Sequence, residues 1–293
     1  MLALATQVDL PDWEVDDRPF HAALTQLGIE HVQVPWTDPD VDWSRFEAVL
    51  IRTTWDYAGQ REAFVTWARR VAKQTQLFNP PEVIVWNTDK HYLRDLERAG
   101  VAIAPTEWLE QGTSVDVAEV LQRRGWERGF IKPIFGQTAR ETLRFDRTPS
   151  GIAAAQAHCD RLLPEEGLMM QPYLAAVETV GEHSAIVFQG RVSHVVQKIP
   201  VPGDYRVMDD YGASDRPSTL DAAGCDLCER AVAAVPHPTP LLYARVDLLH
   251  DNDGNWVLTE LELVEPSLFF RHDAGSAETF ARAVAQALGR TSP

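Results

Sequence analysis

The stretch that most constrains this chain is Leu242–Phe270, LYARVDLLHDNDGNWVLTELELVEPSLFF. Two runs of alternating apolar and polar residues, Leu242–Leu249 and Trp256–Val264, flank Asp251-Asn252-Asp253-Gly254. An Asp-Gly pair between such runs is a strong hairpin signal. In strands of period two, Asp247 shares a face with Arg245 and Leu249, while Glu260 and Glu262 share one with Leu258 and Val264. Carboxylates are thus set into paired apolar strands, where an unpaired charge is expensive. A hard cation makes such burial tolerable, and carboxylate oxygens with waters and substrate phosphates are the usual surroundings of Mg²⁺. A solvated hairpin whose acids face water fits the same pattern, so the metal reading depends on what the rest of the chain brings.

The formal charge is 27 − 43 = −16, with no basic block. An electrostatic footprint for nucleic acid or an anionic membrane is therefore missing, and any anionic ligand falls to a few local cations. With 293 residues and 45 % hydrophobic content the chain supports ordinary cores. The opening MLALATQV lacks a basic region and runs into Asp9-Leu10-Pro11-Asp12, which reads as a first strand rather than a signal peptide. No run approaches the roughly 20 apolar residues of a membrane span, so a cytoplasmic protein without a membrane partner is expected. Three cysteines do not make a disulfide framework. Cys225 and Cys228 form a C-x-x-C inside the helical stretch Thr219–Ala234, which reads as structural.

The expected class is mixed α/β and α+β, with three domains at 1–87, 88–171 and 172–293. Residues 1–87 alternate strand and helix: Leu2–Val8, a helix about Pro19–Leu27, Val32–Pro35, Ala48–Ile51, a helix about Glu62–Thr75, and a return strand at Leu77-Phe78. That order builds a small, parallel-stranded layer, where ligands gather beyond the carboxyl ends of strands. Two loops leave those ends, Asp9–Asp17 and Arg52–Tyr57. The second offers a cation, hydroxyls and aromatic rings to a small zwitterionic substrate, and a solvated turn fits equally. Residues 88–171 read as a smaller lid of short strands with one helix, about Ile152–Arg161. The segment 172–293 carries the hairpin and a closing amphipathic helix, Ser276–Leu288.

The cations sit at marked places. Asn87, Thr88 or Asp89 is placed to cap a helix starting near Lys90, with Gly100 ending it. A lysine in a first helical turn gains nothing from the helix dipole and is better explained by a shared anion. Lys132 lies in the apolar strand FIKPIF, and Gly136-Gln137-Thr138 after it makes a loop able to point N–H groups at a phosphate. A core lysine snorkelling to water is the alternative. Lys198 and Arg206 place positive charge after a strand end, and Arg271 follows the Pro266-Ser267 turn.

Taken in order, this set resembles the ATP-grasp ligases of glutathione-synthetase type over about residues 83–271. Several stretches carry the likeness: DKHYLRDL, KPIFGQTARET, the hinge MMQPYL, and ARVDLL followed by LTELELVEPSLFF. The resemblance implies ATP with Mg²⁺, two ions, with Mn²⁺ as a substitute, held by Asp247, Glu260 and Glu262. The last stands where the family more often has Asn. It also implies phosphate contacts from Lys90, Lys132, Gly136, Gln137, Thr138 and Lys198. Adenine contacts would come from Gln171, Tyr173 and Leu174, and a ribose acid from Glu178 or Glu182, the latter favoured because it immediately precedes a strand. Arg206 becomes the anchor for a substrate carboxylate, with Lys132 and Arg271 beside it in catalysis. The implied activity is transfer of the ATP γ-phosphoryl to a carboxylate, followed by attack of a nitrogen on the acyl phosphate. DLPDWEVDD, LIRTTWDY and ELELVEPSLFF look most like the branch that cyclises O-ureido-D-serine to D-cycloserine in antibiotic biosynthesis. The expected partner is therefore a small amino-acid-derived substrate, with a homodimer left open. The alternatives are an intermolecular amino-acid or peptide ligase and a nucleotide-binding regulatory protein without catalysis.

Overall fold

The computed structural model describes residues 1–10, 12–136, 139–238 and 240–290. Its first layer is a parallel sheet ordered β2-β1-β3-β4, built from β1 (Leu2–Thr6), β2 (His31–Pro35), β3 (Ala48–Thr53) and β4 (Gln76–Phe78). Every residue of β1 and β3 is buried, as expected of parallel strands covered on both faces. The two faces separate by period two. Leu2, Leu4 and Leu50 pack with Phe20 of α1 (Arg18–Gln26), and Ala3, Ala5, Val49 and Ile51 with Phe64 and Trp67 of α2 (Arg61–Val71).

Two short helices follow, α3 (Pro81–Asn87) and α4 (Tyr92–Arg98); α4 is the helix expected near Lys90 and ended by Gly100, with Lys90 in the turn before it. Which of Asn87, Thr88 and Asp89 serves its start is decided by long-range contacts. The Asn87 amide donates to Leu261 O at 2.7 Å and accepts from Leu263 N at 2.8 Å, which commits the residue to the hairpin instead of to a cap. Asp89 takes over, accepting from His91 N at 3.0 Å.

The lid is an antiparallel sheet ordered β5-β8-β6-β7, from β5 (Glu107–Leu109), β6 (Arg128–Pro133), β7 (Leu143–Asp146) and β8 (Leu168–Pro172). It carries two helices where one was expected: α5 (Val117–Arg124) and α6 (Pro149–Leu162). Helix α5 is capped by Asp116, whose carboxylate accepts from Glu119 N at 3.0 Å, and ends at Gly125 with φ +69°.

The third layer begins with α7 (Ala176–Thr179) and a sheet ordered β11-β10-β9-β12-β13. Its strands are β9 (Glu182–Phe188), β10 (Arg191–Ile199), β11 (Ser214–Ser218), β12 (Tyr243–His250) and β13 (Trp256–Glu262). The buried face of β12 and β13 packs on Leu227, Cys228 and Ala231 of α8 (Ala222–Ala233), which holds both C-x-x-C cysteines as free thiols. Helix α9 (Ser276–Ala287) then crosses back to the first layer, where Phe280 meets Phe20 with ring centroids 4.7 Å apart.

The β12–β13 hairpin forms as expected, with one correction. Asp247 pairs with Glu260, the next pair is Leu248 with Leu258, and Thr259 is the extra residue of a bulge. That insertion flips the alternation. Leu258 joins Leu261 in the α8 core instead of sharing the face of Glu260 and Glu262.

Candidate active site

The three layers enclose a cavity of about 470 Å³. Among the acids on its wall are Asp247, Glu260 and Glu262, set there by the register of the hairpin. Asp247 is 3 % exposed and fully engaged: Oδ1 accepts from Ser184 Oγ at 2.6 Å and Arg245 Nε at 3.0 Å, and Oδ2 lies 3.4 Å from Lys198 Nζ. Burial pushes its carboxyl up, but Arg245 and Lys198 outweigh that and hold it at about 2. Glu260 meets Lys90 Nζ at 3.0 Å; burial again opposes ionisation, and Lys90 with Lys132 wins, lowering the value. Glu262 bonds Arg245, yet burial, then the charges of Asp247 and Glu260, drive it up to about 7.

These are hard oxygen donors, and the crowding that raises Glu262 is what a divalent cation would relieve. As the side chains stand, no group of three acids or histidines among the described residues is close enough to hold an ion. Arg245 bridges Asp247 and Glu262, and Lys90 pairs with Glu260. The residues fit a Mg²⁺ site in which protein cations share in balancing the carboxylate charge.

Lys132 projects from β6 between buried Ile131 and Pro133, and its Nζ donates to Thr259 O at 3.3 Å. Burial lowers its pKa, with Glu260 opposing. Lys90 Nζ also donates to Gly136 O at 2.7 Å, tying the loop after β6 to the α3–α4 turn. Gln137 and Thr138 of that loop lie outside the described residues. Gln171, Tyr173 and Leu174 line the cavity at the end of β8, where the Gln171 amide donates to Thr106 Oγ1 at 2.8 Å.

The two candidate ribose acids occupy different surroundings. Glu182 lies inside the cluster, 2.6 Å from Lys198 Nζ, with Thr259 Oγ1 donating to it at 3.3 Å. Glu178 adjoins the hinge instead, bonded to the Tyr173 hydroxyl and 2.7 Å from Arg144 Nη1. Arg206 reaches the wall on the 200–211 loop, held by Asp204 through contacts of 3.0 and 2.6 Å. Arg271 does not line the cavity; its guanidinium meets Asp16 at 3.1 Å and Asp215. Arg52, offered above to a substrate, is 2 % exposed, with its Nη2 donating to Asp17 at 2.8 Å. From that loop Trp55 and Tyr57 do reach the cavity.

Three cavity arginines were not assigned from the sequence, Arg140, Arg245 and Arg61. Arg245 stands on the Asp247 face of β12 and clamps both Asp247 and Glu262. Its signal was available, an arginine two residues before a candidate metal acid. Arg61, the first residue of α2, carried no local mark.

The chain is 34 % identical to the cycloserine biosynthesis protein DcsG of Streptomyces lavendulae over 298 residues, 98 % of this chain and 99 % of that one. It belongs to the D-cycloserine synthetase DcsG family. The family's N-terminal domain, described as that of D-cycloserine synthetase DcsG, matches residues 2–79. A crystal structure of D-cycloserine synthetase DcsG superposes with a TM-score of 0.87 at 31 % identity, covering 98 % of this chain and 99 % of that one. The ATP-grasp ligase PsnB, complexed with a minimal precursor, Mg and ADP, gives a TM-score of 0.66 at 16 % identity with 99 % and 98 % covered. The D-alanine–D-alanine ligase of Bacillus anthracis gives 0.68 at 13 % identity with 98 % and 96 % covered. The last two speak for the fold alone: this DcsG-family chain has the ATP-grasp fold. No helix among its described residues is long and apolar enough to cross a membrane.

Proposed function

We propose that this chain is an ATP- and Mg²⁺-dependent carboxylate–nitrogen ligase of the cytoplasm that cyclises O-ureido-D-serine to D-cycloserine through an acyl phosphate. The observation that carries the reading is one cavity walled by Lys90, Lys132, Lys198 and Arg245 together with Asp247, Glu260 and Glu262, in a chain of this family. Residues 1–87 then supply the substrate side, 88–171 the lid, and 172–293 most of the nucleotide body.

The hinge residues Gln171, Tyr173 and Leu174 take the adenine. Glu182, which lines the cavity where Glu178 does not, takes the ribose. Lys90, Lys132, Lys198 and the Gly136-Gln137-Thr138 loop hold the phosphates. One or two Mg²⁺ ions on Asp247, Glu260 and Glu262, with Mn²⁺ as a substitute, would supply positive charge to the transferring phosphoryl group. A loose phosphoryl-transfer transition state asks little of a protein beyond position and charge, which these residues provide. A carboxylate oxygen of the substrate attacks the γ-phosphorus and ADP leaves. The lid excludes water from the resulting acyl phosphate while Arg206 and Arg245 border its site. A nitrogen of the same molecule then attacks the acyl carbon and phosphate departs; the ureido carbon is lost, with one water, as carbon dioxide and ammonia. Tethering nitrogen to carbonyl is worth about 7–11 kcal/mol in well-oriented cases, and it needs no second substrate.

The test is ADP release with O-ureido-D-serine as the sole acceptor. Formation of ADP and a five-membered cyclic product supports the cyclo-ligase. ADP that appears only after a separate amine or amino acid is added replaces it with an intermolecular ligase.

A further inference from the structure

The arginines around the cavity are matched to carboxylates, with one exception. Arg206 is held by Asp204, Arg245 by Asp247 and Glu262, and Arg140 by Glu166. Arg61 has no ion pair among the described residues. Its Nε donates to Thr88 Oγ1 at 2.9 Å and its Nη2 to Val85 O at 3.3 Å, both neutral acceptors on the α3 side of the Lys90 turn. These bonds fix the plane of the guanidinium and leave Nη1 without a hydrogen-bond partner among the described residues. One face is covered by the Phe135 ring, whose centroid lies 5.0 Å from Cζ. Phe135 is 38 % exposed, in the loop just before Gly136. In a chain of formal charge −16, a positioned arginine on a cavity wall without a carboxylate is a charge held for a ligand.

Resting on the reading above, we propose that Arg61 is the specificity-determining anchor for the substrate's carboxylate, presented from the substrate layer to the phosphate end of the cavity. Arg206 and Arg245 cannot receive a carboxylate without giving up part of an existing pair; Arg61 can. Trp55 and Tyr57, from the loop that leads into α2, line the same cavity. The Phe135 ring over the guanidinium removes water from one face, which strengthens an anion contact. The acyl-phosphate oxyanion offers the same chemistry to Arg61 after transfer, and so does the γ-phosphate of ATP, so the two ligands must be separated experimentally.

The experiment is calorimetry on the intact chain with Arg61→Met, and with Arg61→Lys as the conservative variant, both checked for an unchanged melting profile. AMP-PNP with Mg²⁺ is titrated first, then O-ureido-D-serine into the nucleotide-loaded protein. The expected result is unchanged AMP-PNP binding and a loss of substrate affinity of about ten- to a hundredfold in Arg61→Met, the worth of a charge-assisted hydrogen bond. Arg61→Lys should fall between. Substrate affinity equal to the parent's overturns the proposal, and so does an equal loss of AMP-PNP and substrate binding, which makes Arg61 a phosphate ligand or a lid support. Arg61-dependent substrate binding without ADP formation leaves the anchor standing and sinks the ligase reading. No substrate binding by the parent protein overturns both.

Discussion

Replacing Glu262 with glutamine separates what the acid cluster does for folding from what it does for chemistry. The Glu262 carboxyl is displaced from an ordinary 4.5 to about 7, by burial first and then by Asp247 and Glu260, against the pull of Arg245. A native value above the unfolded one means the protonated form is the comfortable one. The penalty is absent below about pH 4.5, grows as pH rises, and is complete above about pH 7. At about 1.4 kcal/mol per pH unit its ceiling is on the order of 3 kcal/mol. The side chain is 30 % exposed, and solvent screening reduces the figure to about 1–2 kcal/mol. Glutamine imitates the protonated acid and can still accept from Arg245. The metal-free variant should therefore melt a few degrees above the parent at pH 8 and together with it near pH 5, a shift on the scale expected for a chain of this size. ATP turnover should fall at the same time, because one of the carboxylates proposed to hold the metal is lost. Thermal unfolding in chelator across that pH range is the assay. A variant no more stable than the parent at pH 8, or an equal gain at both pH values, would refute the reasoning.

Three further outcomes are expected. Lys132→Ala should weaken ATP binding by about tenfold or more, since a buried charge on the phosphates is lost; calorimetry giving the parent's affinity would remove Lys132 from the site. Gly181→Ala should destabilise by about 2 kcal/mol or more in urea, because Gly181 has φ +98° and a Cβ there would meet Lys198 O at 2.5 Å. A normal urea midpoint would show that the backbone beside Glu182 yields easily. A disulfide reagent at pH 8 should titrate only the partly buried Cys225 of the three native thiols, since burial pushes Cys159 up to about 12 and Cys228 up likewise. Fast reaction of all three would mean that α6 and α8 open readily.

The hairpin was legible because an Asp-Gly turn and period two are local signals. Its bulge was not, since one extra residue at Thr259 leaves the pattern intact and shows only in the pairing of Leu248 with Leu258. Helix α5 was missed although both its cap, Asp116, and its stop, Gly125, stood in the sequence. Which of Asn87, Thr88 and Asp89 serves the start of α4 could not be read locally, because Asn87 is claimed by Leu261 and Leu263, more than 170 residues away. Arg52 looked like a substrate cation from its loop; its charge is taken by Asp17, which only the fold brings beside it. Arg61 was not singled out at all, and what distinguishes it is the lack of a paired carboxylate among the described residues, a property of the cavity and not of the chain. Local patterns thus placed the acids and lysines, while the pairing of each charge depended on contacts between layers.

The central claim is that a carboxylate is activated by phosphoryl transfer, and isotope transfer tests it most directly. O-ureido-D-serine carrying ¹⁸O in both carboxylate oxygens is turned over with ATP, and the released phosphate is examined by mass spectrometry. Attack of the carboxylate on the γ-phosphorus, followed by cleavage of the acyl carbon–oxygen bond, places one ¹⁸O in each phosphate. Phosphate released without label, alongside cyclised product, would contradict the acyl phosphate and with it the account of this cavity.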